Sequence, residues 1–366
     1  MSAILREVDV ALFRGGSSKG VFVNERDLPP PGPTRDAAIL RLMGSPDPMQ
    51  LDGLGGTHSS TSKLVAMSPG VGAEFDAAYL FAQIAVEQAV VDYTGNCGNL
   101  TAAAALWAAE AAGFAEDGVA RTVRLFNANT GRRVDAEVAL AEPAPPPAGG
   151  DGPAYRGRTV EVRAAFLQPA GAVTGELLPT GQVREVLHTP DGAPFEVSIM
   201  DVSGVACFVR ASDLGVPATA RPHAINGDRD LLARFEALRQ AAGRRLGRVS
   251  PGSPRLVLVA SPHDHELADG APARSDAHDL IVRAMSMQRM HHACPFTVLQ
   301  CAAAAALTPG SIVADVARVR DASAVRAAHP KGVAEARVRV GADNALAAIE
   351  VVRTARRLLE GRAFLA

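Results

Sequence analysis

The run Ala11-Leu-Phe-Arg-Gly-Gly-Ser-Ser-Lys-Gly-Val-Phe-Val-Asn-Glu-Arg-Asp-Leu28 reads as an apolar strand, a polar turn and a second strand. The same order returns in Val197-Ser-Ile-Met-Asp-Val-Ser-Gly-Val-Ala-Cys-Phe-Val-Arg-Ala-Ser-Asp-Leu214. Further on, Leu64-Val-Ala-Met-Ser-Pro69 is matched by Leu256-Val-Leu-Val-Ala-Ser-Pro262, and Tyr79 to Val86 by Asp279 to Ser286. Finally Asn96-Cys-Gly-Asn-Leu-Thr101, running into alanines, falls opposite Ala293-Cys-Pro-Phe-Thr-Val298, followed by Ala302 to Ala306. Four colinear matches predict an internal repeat. The repeat implies two similar α/β domains facing one another, each sending a helix N-terminus into a shared cleft, where small ligands tend to bind. The expected boundaries are 1–182, to which a C-terminal strand 353–366 can return, and 183–352.

Between the matched segments the pattern places further elements. Asp36 to Met43 is an amphipathic helix closed by Gly44, with Ser-Pro-Asp-Pro48 barring its continuation. Leu100 to Gly113 is an apolar, alanine-rich helix. Strands are expected over Thr122 to Phe126, Arg133 to Leu140 and Thr159 to Phe166, with Glu142 to Gly152 as a Pro- and Gly-rich surface linker. Asp228 caps a helix from Asp230 to Ala242 that Gly243 closes. Ala336 to Val340 and Ala347 to Val352 pair as strands, and Arg353, Arg356 and Arg357 form a solvated basic turn.

Composition narrows the function classes. The 366 residues are enough for two domains with their own cores. With 37 basic and 39 acidic residues and no Lys/Arg run, nucleic-acid binding is not expected. No apolar stretch reaches the length of a membrane span, and Arg6, Glu7 and Asp9 stand where a signal peptide needs an apolar core. Cysteines at 97, 207, 294 and 301 lack metal-ligand spacing, and their sparseness fits reduced thiols in the cytoplasm. Neither Gly15-Gly16 nor Gly55-Gly56 has the spacing of a dinucleotide loop, so no cofactor and no metal are expected. Homodimer assembly is left open.

Candidate chemistry lies at two places. Cys97 stands where the alanine-rich helix begins; unpaired N–H groups and the macrodipole at such an end lower a thiol pKa and attract carboxylates. The alternative is a buried cysteine packed in a Gly-rich turn. The loop Leu51-Asp-Gly-Leu-Gly-Gly-Thr-His-Ser-Ser-Thr-Ser-Lys63 offers uncharged donors and one lysine entering a strand, as an anion cradle would. It is not a phosphate-binding P-loop, because Lys63 leads into a strand and not a helix.

Phe13-Arg-Gly-Gly-Ser-Ser-Lys-Gly20, Met43-Gly-Ser-Pro-Asp-Pro48, Asp52-Gly-Leu-Gly-Gly56, Ser59-Ser-Thr-Ser-Lys63, Tyr79-Leu-Phe81 and Asn96-Cys-Gly-Asn-Leu-Thr101 together resemble the PrpF, or 2-methylaconitate isomerase, family. The similarity continues in Ile225-Asn-Gly-Asp228, Met285-Ser-Met287 and His291-His292. It implies a diaminopimelate-epimerase-like α/β (α+β) fold, two pseudo-symmetric domains whose mixed or antiparallel sheets each wrap a central helix. It also implies cofactor-independent migration of a C=C bond in an unsaturated di- or tricarboxylate, as in the 2-methylaconitate, methylitaconate and 4-oxalomesaconate isomerases.

Such a 1,3-proton shift needs a base at an allylic carbon, a donor at the far carbon and positive dipoles for the dienolate between them. Lys63 is the expected base, its pKa depressed by burial in the loop, and the resemblance points to the same lysine. Cys97 is the expected proton donor or partner base, with the N–H groups of Gly98 and Asn99 holding a carboxylate. Ser17, Ser18, Lys19, Ser60, Thr61, Ser62 and Asn96 are candidate carboxylate binders. In the second half, where the family resemblance leads one to expect a glycine and threonine turn, the chain has His292-Ala-Cys-Pro-Phe-Thr297. Pro295 suits a first helical turn but removes one N–H donor, and Phe296 would narrow a pocket. His292 and Cys294 join the substrate-binding candidates. Cys294 opposite Cys97 also admits a two-thiol epimerase or racemase, and a non-catalytic binding protein on the same fold is the third reading.

Overall fold

The computed structural model describes residues 6–70, 74–114, 119–140, 154–155, 158–342 and 345–365. They divide into two units, Met1–Leu167 with Val352–Ala366, and Gln168–Val351. The division falls after Leu167, and the expected linker Glu142 to Gly152 lies outside the described residues.

The first unit is built from β1 (Arg6–Gly15), β2 (Ser18–Asn24), β3 (Lys63–Pro69), β4 (Ala77–Ile84), β5 (Val91–Asp92), β6 (Arg121–Asn127), β7 (Arg132–Leu140), β8 (Ala154–Tyr155) and β9 (Arg158–Leu167). Its helices are α1 (Pro33–Met43) and α2 (Gly98–Ala109). Pairing runs β1–β2–β3–β4–β6–β7–β9 and returns to β1 through the end of a long last strand, Leu346–Leu365, so the strands close into a barrel. Closure leaves no free edge among these strands. Alternation along each strand serves two layers. Val21, Val23, Leu64, Ala66, Ala82 and Ile84 pack with Ile39, Leu42 and Met43 of α1 on the outside. Inside runs α2, whose buried run Ala102 to Ala105 is small enough for strands to approach from all sides. Each fully buried Val or Leu here contributes about 1.5–3 kcal/mol.

The second unit repeats this plan. It holds β10 (Glu185–His188), β11 (Pro194–Asp201), β12 (Val205–Arg210), α3 (Pro222–Gly227), α4 (Arg229–Arg245), β13 (Arg255–Ala260), the small pair β14 (His265–Glu266) and β15 (Pro272–Ala273), β16 (Leu280–Ser286), β17 (Arg289–Met290), α5 (Phe296–Ala306), α6 (Ile312–Val316), β18 (Ala324–His329), β19 (Gly332–Val340) and the start of β20 (Leu346–Leu365). Parallel β2–β3, with Phe22 beside Val65, has its counterpart in parallel β12–β13, with Phe208 beside Val257. Parallel β4–β6 corresponds to parallel β16–β18, with a central helix in each connection. One pair of ion pairs sharpens the repeat. Arg124 N–H donates to the Asp76 carboxylate at 2.7 Å, and Arg326 N–H to that of Asp279 at 2.8 Å. Both arginine side chains turn back to the same carboxylates. The counterpart of Asp279 is therefore Asp76, not Tyr79 as the sequence match had it.

Three expectations change. Gly243 does not end its helix, which runs to Arg245; an added Cβ there would lie 2.5 Å from Val249 Cγ2, so close packing and not termination explains the glycine. The basic residues 353, 356 and 357 form no turn but lie within β20, paired with β1 from Gly15–Ala355 to Arg6–Leu365. Pro295 is the cap before α5, not part of its first turn. Among the described residues no helix is long and apolar enough to cross a membrane.

Candidate functional site

The first unit brings three segments together: the β1–β2 turn, the loop before β3 and the start of α2. Glycine makes the approach feasible. A Cβ on Gly15 would lie 2.0 Å from the carbonyl oxygen of Asn99, and one on Gly16, whose φ is +48°, 2.5 Å from Asn99 Oδ1. Asn99 Nδ2 then donates to Ser17 Oγ at 3.1 Å and Ser18 Oγ at 3.4 Å, while its Oδ1 accepts from Arg353 Nε at 3.3 Å. Arg14 braces the turn by donating to Gly16 O and Thr354 Oγ1, and burial, aided by Arg356, pulls its guanidinium down to about 10. Because the obstacle at Gly15 is backbone, Gly15→Ala should destabilise the unit by about 1–3 kcal/mol. Gly227→Ala, with open space around the added atom, serves as the control, and denaturant midpoints of the two variants check the difference.

Cys97 is the residue before the first turn of α2, and its side chain makes no capping bond to that turn. Its thiol lies 3.8 Å from Ser18 Oγ and is buried. No acidic side chain occupies that first turn, so the helix end keeps its positive potential for an incoming anion. Tyr79 OH bonds to Thr101 Oγ1 at 2.8 Å and fixes this end of the helix; burial pushes the phenol's ionisation up. Asn96 is 2% exposed, yet neither of its amide atoms has a hydrogen-bond partner among the described residues. A buried unpaired polar group costs about 1–3 kcal/mol, which a bound ligand's hydrogen bonds would offset.

Lys63 opens β3, 5% exposed, with Gly20 between it and Leu100 of α2. Its Nζ donates to Gln83 Oε1 at 2.5 Å and stands 5.0 Å from the centre of the Phe81 ring. Lys19 N–H donates to Ser60 O, and its Nζ reaches the region of Gly56. Ser60 Oγ bonds with His58 Nδ1 at 3.1 Å. Thr61 Oγ1 donates to Gly56 O and His58 O, and Ser62 Oγ accepts from Gln50 Nε2 at 2.7 Å, so these two hydroxyls help to build the loop itself. Gln50 also accepts from Thr57 N–H, spanning the loop, and Gln83 Nε2 donates to Ser59 O and Ser62 O. These two glutamines carry roles that no motif signalled. The available signal was a lone amide inside the apolar strand Tyr79 to Ile84.

His292 and Cys294 belong to the second unit, ahead of α5. Cys294 Sγ is 3.5 Å from Pro295 O, and His292 stacks on His291 with ring centres 4.5 Å apart. All four cysteines are free thiols. Burial pushes the Cys207 and Cys301 thiols up. Arg357, expected to be solvated, pairs with Glu110 and Glu360. Among the described residues no group of three His, Cys, Asp or Glu side chains could hold a metal ion. A cavity of about 340 Å³ bounded by Asp9, Phe22, Trp107 and Glu360 shares none of the residues named above for the chemistry.

The sequence model of the family described as PrpF protein matches residues 5–366. The chain belongs to the PrpF family. It is 36% identical to a 3-methylitaconate isomerase of Eubacterium barkeri over 97% of this chain and 96% of that one. It is 37% identical to a 2-methyl-aconitate isomerase of Shewanella oneidensis, with 92% and 89% covered, and 34% identical to a 4-oxalomesaconate tautomerase of Pseudomonas putida, with 96% and 94% covered. The crystal structure of a methylitaconate-delta-isomerase superposes with a TM-score of 0.74 at 35% identity, covering 98% and 96% of the chains. A hydroxyproline epimerase of Agrobacterium vitis shares the fold alone, with a TM-score of 0.59 at 12% identity over 98% and 93%. The fold is diaminopimelate-epimerase-like, and this PrpF chain is an isomerase.

Proposed function

We propose that this PrpF protein moves a C=C bond by 1,3-proton transfer in an unsaturated di- or tricarboxylate, with no cofactor, Lys63 acting as base and Cys97 as acid. The observation that carries the reading is a buried lysine aimed by Gln83 in the same unit as a thiol at an uncapped helix start. The unprotonated amine takes the allylic proton, and the electron pair spreads into a dienolate held by hydrogen bonds at the helix end. The thiol gives its proton to the far carbon, which completes the shift. Proton return from ammonium to thiolate, directly or through solvent, restores both groups and leaves the formula of the substrate unchanged.

The N–H groups of Gly98 and Asn99, the amide of Asn96 and the hydroxyls of Ser17 and Ser18 are proposed to hold carboxylate oxygens, with Lys19 and Ser60 at the loop side. The names of the relatives support methylitaconate, 2-methylaconitate and oxalomesaconate as the first compounds to try. The sparse cysteines, four in 366 residues, support a cytoplasmic setting. The test is proton NMR in D₂O with a panel of unsaturated polycarboxylates and several amino acids, in the presence of a chelator after exhaustive dialysis. Bond migration with deuterium uptake at allylic positions is expected to persist without metal. Activity lost on chelation and restored by metal, or exchange confined to the α-carbon of an amino acid, would refute the proposal.

A further inference from the structure

Nothing in the sequence motifs pointed to Gln83, yet it holds the proposed base and two carbonyls of the loop that precedes β3. It sits directly opposite Lys63 in the β3–β4 ladder and beside Asp92 in the β4–β5 ladder. Its amide is oriented without ambiguity. Nε2 donates to the carbonyl oxygens of Ser59 and Ser62 at 3.0 and 2.9 Å, which leaves Oε1 to accept from Lys63 Nζ at 2.5 Å. A flipped amide would set donors against the lysine's own N–H groups and an oxygen against two carbonyl oxygens.

From this geometry we infer that Gln83 is the positioning residue for Lys63, chosen by its chemistry to aim the amine without fixing its charge. The inference rests on the isomerase reading only in taking Lys63 as the base. An ammonium has three N–H donors and a neutral amine two, so the Gln83 oxygen holds Nζ in either state. A carboxylate in the same place would also accept from Nζ, but an opposite charge at this distance favours the ammonium and raises its pKa by about 1–3 units. A base locked as its conjugate acid cannot abstract a proton. The neutral amide therefore supplies aim and the loop supplies burial, while the side chain's two donor bonds tie the Ser59 to Ser62 turn to the strand that bears Phe81.

Titratable or charged groups on the elements packed around β3 include Asp92 on β5, His58 in the loop, Lys19 on β2 and Cys97 at the start of α2. Asp92 is engaged by Thr94 N–H and Oγ1, and His58 Nδ1 by Ser60. These groups are the same in wild type and Gln83 variants, so the comparison between them isolates the effect of the introduced carboxylate.

The chain has three lysines, Lys19, Lys63 and Lys331, so [ε-¹³C]lysine labelling gives three signals, and Lys63→Arg assigns one of them. In Gln83→Glu the Lys63 signal should titrate at least one pH unit higher than in the wild type. The low-pH limb of kcat/KM should rise by the same amount, so that activity lost about tenfold or more near neutrality returns on alkalinisation. In Gln83→Met, which aims nothing, kcat should fall with KM little changed and no recovery at high pH. A Lys63 titration and a pH limb that stay within about 0.3 units in folded Gln83→Glu would overturn the inference. The NMR titration needs no substrate, so it stands even if the polycarboxylate panel gives no turnover. If Gln83→Glu does not fold, Gln83→Met decides: unchanged kcat there overturns the inference as well.

Discussion

Lys63→Ala is expected to remove the 1,3-shift almost completely, lowering kcat by about 10² to 10⁴, the range for loss of a general base. The size of the effect follows from what surrounds the side chain. Lys63 is buried where β3 begins, and the only other titratable base in the Thr57 to Ser62 loop, His58, is engaged through Nδ1 with Ser60. Water entering the space left by three methylenes and an amine would be a weak base held by Gln83 Oε1. The fold should survive, since the ladder bonds of β3 to β2 and β4 are backbone bonds. A matched far-ultraviolet spectrum with absent bond migration and absent deuterium uptake is the expected outcome. Full activity in Lys63→Ala would exclude the lysine as base and with it the proposed division of labour.

How far the sequence foretold this site depends on what kind of signal each part leaves. The repeat was legible because paired apolar strands, followed by a cysteine ahead of an alanine-rich helix, stand in the same order in both halves. Its register in β4 and β16 was not, since apolar strands match one another at several offsets, whereas the Asp76–Arg124 and Asp279–Arg326 pairs fix it only once partners far apart in the chain are known. The sequence pointed to a polar turn at Gly15-Gly16, but the reason for its glycines, the carbonyl of Asn99 against Gly15, is a contact between residues 84 positions apart and leaves no local pattern. Gln50 and Gln83 were missed on the same ground: a single buried amide carries no period. The tail was misread because Arg353, Arg356 and Arg357 are charged, and charge suggests solvent. In the structure the strand continues through them, and Arg353 reaches Asn99 at the helix start.

The two cysteines that the repeat sets in parallel should behave differently on replacement. In Cys97→Ser the fold should hold, because serine is a better residue than cysteine before a first helical turn and Ser18 Oγ lies near enough to bond with the new hydroxyl. The N–H groups of Gly98 and Asn99 remain to bind a carboxylate, so KM should change little. An alcohol is a far weaker acid than a thiol, so proton delivery to the far carbon should slow, and kcat should fall by about 10² or more. Deuterium exchange at the allylic carbon, which Lys63 alone can perform, should outlast bond migration in this variant. Cys294→Ser should be nearly silent, since that thiol, ahead of α5, lies against the carbonyl of its own neighbour Pro295. The opposite pattern, Cys294→Ser inactive while Lys63→Ala turns over normally, would replace the allylic isomerase with a two-thiol racemase acting at one carbon.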